Sequence, residues 1–329
     1  MRERQREREK HANNMQTINK RKQTLRNKEG LITMKLTFLG TSAMVPTKER
    51  NHSAAFLEIE PYGILVDCGE GTQRQLNIAN IRPTRITHIL ISHWHGDHVL
   101  GLPGLLQTLS AMNPGHKITI AGPGGSRKHY EHMKKAFAFE PALEIQIVEA
   151  ERNPVIKTDK FSVEFSELEH SVKTIGYRVK TRDRRRINTH KIKELGLKEG
   201  PWLTRIQEGK SVEVNGKKIR ADDVSYVVKG KVVSFVTDTL MCPGCYELAR
   251  DADVLVCESS YHSKQEEKAR EYKHLTAAQA AQLASQENVG KLILTHFSQR
   301  YKTVEEILEE ARSIFPETEA AFDFMNVRV

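Results

Sequence analysis

From residue 34 onward, short apolar runs alternate with polar clusters. Lys35–Leu39, Ile64–Val66, Ile86–Ile91, Val232–Val236, Val254–Cys257 and Leu292–Leu294 have the character of β-strands. Helical spacing of apolar residues recurs at 101–112, 126–137, 274–287 and 303–314. Strands interleaved with helices predict an α/β class. The strands run into polar clusters, among them Asp67-Cys68-Gly69-Glu70-Gly71-Thr72, Ser92-His93, Thr237-Asp238-Thr239, Glu258 and Thr295-His296. Folds of this class build their sites at the carboxyl ends of strands. No internal repeat is present.

Two segments break the rhythm. Residues 1–33 alternate charge with almost no apolar periodicity, which predicts disorder or a loose helix, with the folded domain spanning 34–329. Residues 181–231 carry Gly196, Gly200-Pro201, Gly209 and Gly216 as breakers and offer little apolar material for a core. They read as an inserted, basic, partly mobile arm, with 181–209 as its body. The 329 residues carry a formal net charge of +9. Residues 1–33 hold ten Lys and Arg against four Glu, and 178–210 hold eleven against four acids. Those segments are therefore +6 and +7, and the rest of the chain is −4. Positive charge concentrated in this way is what a polyanion would meet.

No apolar stretch approaches a membrane span, and the charged N-terminus lacks the apolar centre of a secretion signal. Four scattered cysteines do not make a disulfide framework. A cytoplasmic protein without a membrane partner is expected.

The strongest chemical signal is Ser92-His93-Trp94-His95-Gly96-Asp97-His98, directly after an apolar strand. Imidazole nitrogen and carboxylate oxygen suit zinc and similar divalent ions. A tight loop can aim His93 and His95 one way and Asp97 and His98 another, a geometry that suits two metals. The remaining ligands must come from other strand ends, where His170, Asp238 and His296 follow strand-like runs. Asp238 is the natural bridge, since a carboxylate can give one oxygen to each ion.

Together these residues resemble the metallo-β-lactamase superfamily, with its HxHxDH signature, and within it the ribonuclease Z family of tRNA 3′-processing endonucleases. The resemblance extends over 34–329 and includes MKLTFLGTSAMVPTKERN and DCGEGTQRQL. It implies a four-layer αβ/βα sandwich with an inserted flexible arm, two zinc ions per subunit (other divalent metals being possible), precursor tRNA as substrate and a homodimer. It implies that His93, His95, His170 and Asp238 hold one ion and that Asp97, His98, Asp238 and His296 hold the other. Pro46, Lys48, Arg50 and Asn51 match the family's PxKxRN loop at the acceptor end of tRNA. Gly200-Pro201 matches the Gly-Pro motif of its tRNA-gripping arm, where Arg182, Arg184, Arg185, Arg186, Lys191 and Lys193 offer phosphate contacts. The family's His-Glu-Ala-Thr and His-Ser-Thr motifs read Cys257-Glu258-Ser259-Ser260 and His274-Leu275-Thr276 here. Glu258 and His274 are kept; no role is assigned to their altered neighbours.

The chemistry so implied has Asp97 accepting the proton of the attacking water and His274, oriented by Glu258, protonating the departing 3′-oxygen. Arg300 binds a phosphate if its loop turns inward and is otherwise a surface charge. The products would be tRNA with a 3′-hydroxyl and a trailer with a 5′-phosphate. The rival enzyme is a superfamily hydrolase of a small ester, lactone or thioester, which leaves the basic arm and the Lys48/Arg50 loop idle. A nucleic-acid-binding protein with structural zinc would instead favour closed, thiolate-rich sites. Gly122-Pro123-Gly124-Gly125-Ser126 lacks the Lys-Ser/Thr pair of a phosphate loop and reads as a plain turn. Cys242-Pro243-Gly244-Cys245 reads as a helix start and not as a redox pair. His52, His88, His116, His129, His132, His190 and His262 default to surface or packing roles.

Overall fold

Two seven-stranded sheets face one another, each covered on its outer side by helices. The structure is a computed structural model that describes residues 33–138 and 140–329. The expectations for residues 1–32 lie outside the described residues. The first sheet contains β1 (Lys35–Gly40), β2 (Ala54–Ile59), β3 (Tyr62–Val66), β4 (His88–Leu90), β5 (Lys117–Gly122) and β6 (Glu144–Glu149). After it come β7 (Ile156–Lys157), β8 (Phe161–Leu168) and β9 (Thr174–Thr181) of the second sheet. An excursion carries β10 (Arg184–Ile187), β11 (Val212–Val214), β12 (Lys217–Ile219) and β13 (Ser225–Val228). The second sheet then resumes with β14 (Val232–Val236), β15 (Val254–Glu258), β16 (Leu292–Thr295) and β17 (Thr318–Ala320). Finally β18 (Asn326–Arg328) pairs antiparallel with β1, so the end of the chain closes the first sheet.

Burial on both faces explains the near-continuous apolar strands. Leu255, Cys257, Leu292 and Leu294 alternate onto the helix side, where they pack against Leu248, Ala280, Ala281, Ala284 and Ile307. Ile89 and Ile91 do the same in the first sheet, against Leu102, Leu105, Leu106 and Leu109. These helices place apolar residues at i, i+3, i+4 and i+7, the stripe a sheet can cover. Thr276 starts the helix Ala277–Gln286 with a capping box: its Oγ1 accepts from Gln279 N at 3.2 Å, and Gln279 Oε1 accepts from Thr276 N at 3.0 Å.

The inner faces meet across the sandwich. Phe161 of β8 stands edge-on to Tyr62 and His88 of the first sheet. The buried Tyr177 of β9 donates its hydroxyl to Ile91 O at 2.8 Å. The αβ/βα layering is thus the one the family resemblance implies. Strands β3, β4 and β5 are mutually parallel, as are β14, β15 and β16. Their carboxyl ends collect at one rim.

The inserted arm departs from expectation. Ile192, Leu197, Ile206, Val212, Ile219, Ala221 and Val224 form a core of their own, backed by Ile187, Trp202 and Leu203. The excursion is therefore a small folded body spanning 182–230, longer than 181–209 and not poor in core residues. Its apolar residues come singly from short helices and strands and meet only in three dimensions. At its neck Thr181 N donates to Lys231 O at 2.9 Å, and Gly230 lies so close to Thr181 O that a side chain there would collide. Arg178 and Lys180, counted with the basic segment, belong to β9 instead.

Candidate metal centre

The rim of the sandwich gathers the seven proposed ligands. Strand β4 ends at Leu90, and the turn after it carries His93 and His95 into a four-residue helix, Gly96–Val99, that presents Asp97 and His98. His170 comes from the turn between β8 and β9, Asp238 from the end of β14 and His296 from the end of β16. His93, His95, His170 and Asp238 each offer a ligand atom within 4.8 Å of the others, and so do Asp97, His98, Asp238 and His296.

Asp238 divides its two oxygens between these sets. Its Oδ2 lies 3.8 Å from His93 Nε2 and 3.9 Å from His170 Nε2. Its Oδ1 lies 3.5 Å from His98 Nε2 and 3.3 Å from His296 Nε2. His98 Nε2, His296 Nε2 and Asp238 Oδ1 are buried without a hydrogen-bond partner. Buried polar atoms are ordinarily satisfied, and charges more so. Three such atoms, all in the set of Asp97, His98, Asp238 and His296, fit a cation there.

Hydrogen bonds behind the site fix the orientation of the ligands. Asp67, after β3, accepts from Ser92 N at 2.8 Å, from Ser92 Oγ at 2.9 Å and from His98 Nδ1 at 2.7 Å. That turns His98 Nε2 toward the centre. His170 Nδ1 donates to Lys273 O at 3.0 Å. His296 Nδ1 meets Ser260 Oγ at 2.9 Å, and Ser260 also reaches Glu258 Oε2 at 2.8 Å. The backbone N–H of Met44 donates to Asp97 Oδ2 at 3.0 Å. Asp67, Ser260 and Met44 were assigned no role from sequence. Asp67 had a visible signal, the polar run after a strand; Ser260 and Met44 had none beyond adjacency.

Charge follows the same plan. Burial holds the imidazoles of His93 and His170 below the ordinary value, in the neutral form that ligation requires. Burial would raise Asp97 and Asp238, but the surrounding histidines win and keep both carboxyls well below their usual range. Burial likewise works against charge on His98, yet the Asp238 and Asp67 carboxylates raise it.

Beside these two sets, the fully buried Glu258 holds His274 Nδ1 at 3.1 Å from each carboxylate oxygen. Glu258 Oε1 also accepts from Thr239 N at 2.8 Å. Its oxygens are thereby committed, which makes Glu258 an orienting group. Burial would lower the His274 pKa, but the Glu258 carboxylate pushes it up to about 9.

The outer residues divide. Pro46 and Lys48 are exposed, whereas Arg50 donates to Tyr301 O at 2.7 Å and Asn51 is tied to Asp323 and Glu70. Arg50 and Asn51 thus brace the loop. Arg300 lies with its guanidinium 4.6 Å over the Tyr261 ring, which itself lies 6.1 Å from His274. In the arm Pro201 precedes the helix Trp202–Gln207, Arg185 pairs with Asp222 at 2.7 Å, and Arg182 donates to Thr158 O at 2.6 Å. Lys191 and Lys193 are exposed.

Asp67→Asn keeps an acceptor for Ser92 N but presents an amide to His98 Nδ1. Metal affinity or turnover should fall about 10- to 100-fold, the usual effect of losing an outer-shell partner. Chelator competition measures it; wild-type affinity with wild-type rate would show that Asp67 does not orient His98.

Fold and site together define a metallo-β-lactamase-fold protein. The structure is similar to the metallo-β-lactamase fold protein YhfI from Bacillus subtilis, with a TM-score of 0.67 at 16% identity over 91% of this chain and 100% of that one. A family model described as anti-Pycsar protein Apyc1 matches residues 34–174. The sequence is 39% identical over 290 residues to ribonuclease Z of Chlamydia trachomatis serovar L2, covering 88% of this chain and 95% of that protein. The short form of human tRNase Z matches with a TM-score of 0.63 at 27% identity, over 89% of this chain and 98% of that one. The chain belongs to the ribonuclease Z family.

Proposed function

We propose that this chain is a tRNA 3′-processing endoribonuclease that cuts the trailer from precursor tRNA, leaving a 3′-hydroxyl on tRNA and a 5′-phosphate on the trailer. The observation that carries this reading is the division of Asp238 between two ligand sets beside the His274–Glu258 pair. His93, His95, His170 and Asp238 would hold one zinc ion, and Asp97, His98, Asp238 and His296 the other. Bound there, divalent ions supply positive charge for the phosphoryl oxygens and activate the attacking water at neutral pH. Asp97, steadied by Met44 N, would accept the proton of that water. His274, charged through Glu258, gives its proton to the departing 3′-oxygen. Lys48 and Arg300, both exposed, would meet RNA phosphates, Arg300 by turning from Ser298 and Gln265, and Arg50 and Asn51 shape the loop that carries Lys48.

The arm grips the tRNA body. Lys191 and Lys193 are exposed on one of its helices, and alternation along β10 places Arg184 and Arg186 on one face together. Phosphate contacts of this kind read shape and backbone. A homodimer in which the arm of one subunit reaches tRNA held by the other completes the proposal. The four cysteines are free, which fits a cytoplasmic setting, and no helix among the described residues is long and apolar enough to cross a membrane.

Because β9 and β14 are antiparallel neighbours at Lys180 and Val232, residues 182–230 can be replaced by a short turn. That variant should bind pre-tRNA about 100-fold more weakly, with a flatter salt dependence, while a small phosphodiester is hydrolysed at the normal rate. Loss of both activities together would refute this division of labour. The function itself is tested by incubating metal-loaded protein with trailer-bearing pre-tRNA, with and without chelator, and mapping both ends of the cut. Rapid turnover of small esters with pre-tRNA left intact would favour the rival hydrolase.

A further inference from the structure

Cys242 and Cys245 take no part in the mechanism, yet they sit together where the chain leaves Asp238. Their Sγ atoms are 3.7 Å apart at the start of the helix Pro243–Ala249. Cys242 lines a shallow surface depression with Met241, Pro243, Tyr246, Glu247 and Arg250. Cys245, Cys68 and Cys257 are sealed inside, each at 0% exposure. Cys242, at 8% exposure, thus borders the depression, and Cys245 lies beside it on the interior side.

What distinguishes this pair is Thr239. Its Oγ1 lies 3.7 Å from Cys242 Sγ and accepts from Glu169 N, the residue before His170, at 2.9 Å. Its own N–H donates to Glu258 at 2.8 Å. Thr239 therefore joins the cysteine pair to the segments carrying Asp238 and His170 and to the carboxylate that orients His274.

We propose that Cys242 and Cys245 form an oxidation site for hydroperoxides, whose closure to a disulfide slows the neighbouring catalytic centre. The Cys242 thiolate attacks one peroxide oxygen and the O–O bond breaks; the departing hydroxide takes a proton and leaves as water, with Cys242 as a sulfenic acid. Cys245 sulfur then attacks that sulfur: an S–S bond forms, the S–O bond breaks, and the hydroxide leaves as a second water with the Cys245 proton. The two sulfurs lose two electrons and the peroxide gains them. The hydrogen bond from Cys245 favours the attacking thiolate of Cys242, bringing the thiol down to about 5 against the opposing effect of burial. Closing from 3.7 Å to a bond of ~2.05 Å draws Cys242 away from Thr239 and Glu167 O. The loosened Thr239 frees two ligand-bearing segments, with a cost of about tenfold in rate.

The effect on rate rests on the catalytic reading above; formation of the disulfide does not. The test treats the full metal-loaded chain with hydrogen peroxide, maps crosslinks by mass spectrometry, and follows metal content together with cleavage of pre-tRNA and of a small phosphodiester. The expected result is a Cys242–Cys245 crosslink, a rate about tenfold lower, and recovery with dithiothreitol. Cys245→Ser and, should that variant fold poorly, Cys245→Ala should form no crosslink and keep their rate after peroxide. Absence of the crosslink in the unmodified chain overturns the proposal. So does a crosslinked protein with unchanged rate, or equal inactivation of the Cys245 variants. If pre-tRNA is not cleaved under any condition, the catalytic reading fails while the crosslink and metal content still decide whether the pair oxidises and reaches the centre.

Discussion

Asp238→Ala should lower pre-tRNA cleavage by more than about 1,000-fold and strip the protein of most of its bound metal. Both carboxylate oxygens face ligand sets, Oδ2 toward His93 and His170 and Oδ1 toward His98 and His296. Removing them deletes the one anion common to both sets, so each set loses a ligand and the negative charge that offsets a divalent ion. Two-metal charge stabilisation is worth several kcal/mol, and each ~1.4 kcal/mol is a factor of ten in rate. Elemental analysis of the purified variant, beside its initial rate, measures both losses. Chelating the unmodified protein should reproduce the loss, and adding zinc back should rescue that protein but not the variant. A variant that kept its metal and a rate within about tenfold of normal would end the bridging assignment.

His274→Ala should act through the leaving group. The proton for the 3′-oxygen disappears, so pre-tRNA cleavage is expected to fall about 10²- to 10⁴-fold, the range for loss of a general acid. A phosphodiester with a p-nitrophenolate leaving group needs no such proton and should be hydrolysed nearly normally, with metal content unchanged. The acid works only while protonated, so the unmodified enzyme should lose activity as pH rises. Glu258 pushes His274 up to about 9, and bound cations pull against it by like-charge repulsion. The alkaline limb should therefore fall between the ordinary histidine value of 6.5 and about 9. Glu258→Gln removes the carboxylate charge and should move that limb downward. Equal losses on both substrates would show that His274 supports the fold or the metals and is not the acid.

The HxHxDH loop was legible because its members are neighbours in sequence, directed by one short turn. His170 has no such company: it joins the cluster only because the β8–β9 turn lies opposite β4, with Ser92 O accepting from Ile175 N at 3.0 Å. Asp67 and Ser92 are 25 residues apart and meet because β3 and β4 are parallel neighbours. Strand β8 was visible as the strand-like run before His170, with Phe161, Val163 and Phe165 at period 2. The arm's core was harder to see, since Ile192, Ile206, Val212 and Ile219 stand singly between lysines, arginines and glycines. A lone apolar residue carries no periodicity, and only packing reveals that several of them share a centre.

By itself the sequence determined the α/β class, the metal-ligand residue types at strand ends and the localisation of positive charge. These follow from local composition, from periodicity and from ligand types confined to short segments. Tertiary structure alone decided how Asp238 divides its oxygens, which hydrogen bonds fix each imidazole, and that the arm is folded. It also decided that Thr239 links a cysteine pair to the centre. Each of these depends on strand order and register, which bring together groups tens to hundreds of residues apart, and pairing of that kind leaves no trace in the spacing of a single chain.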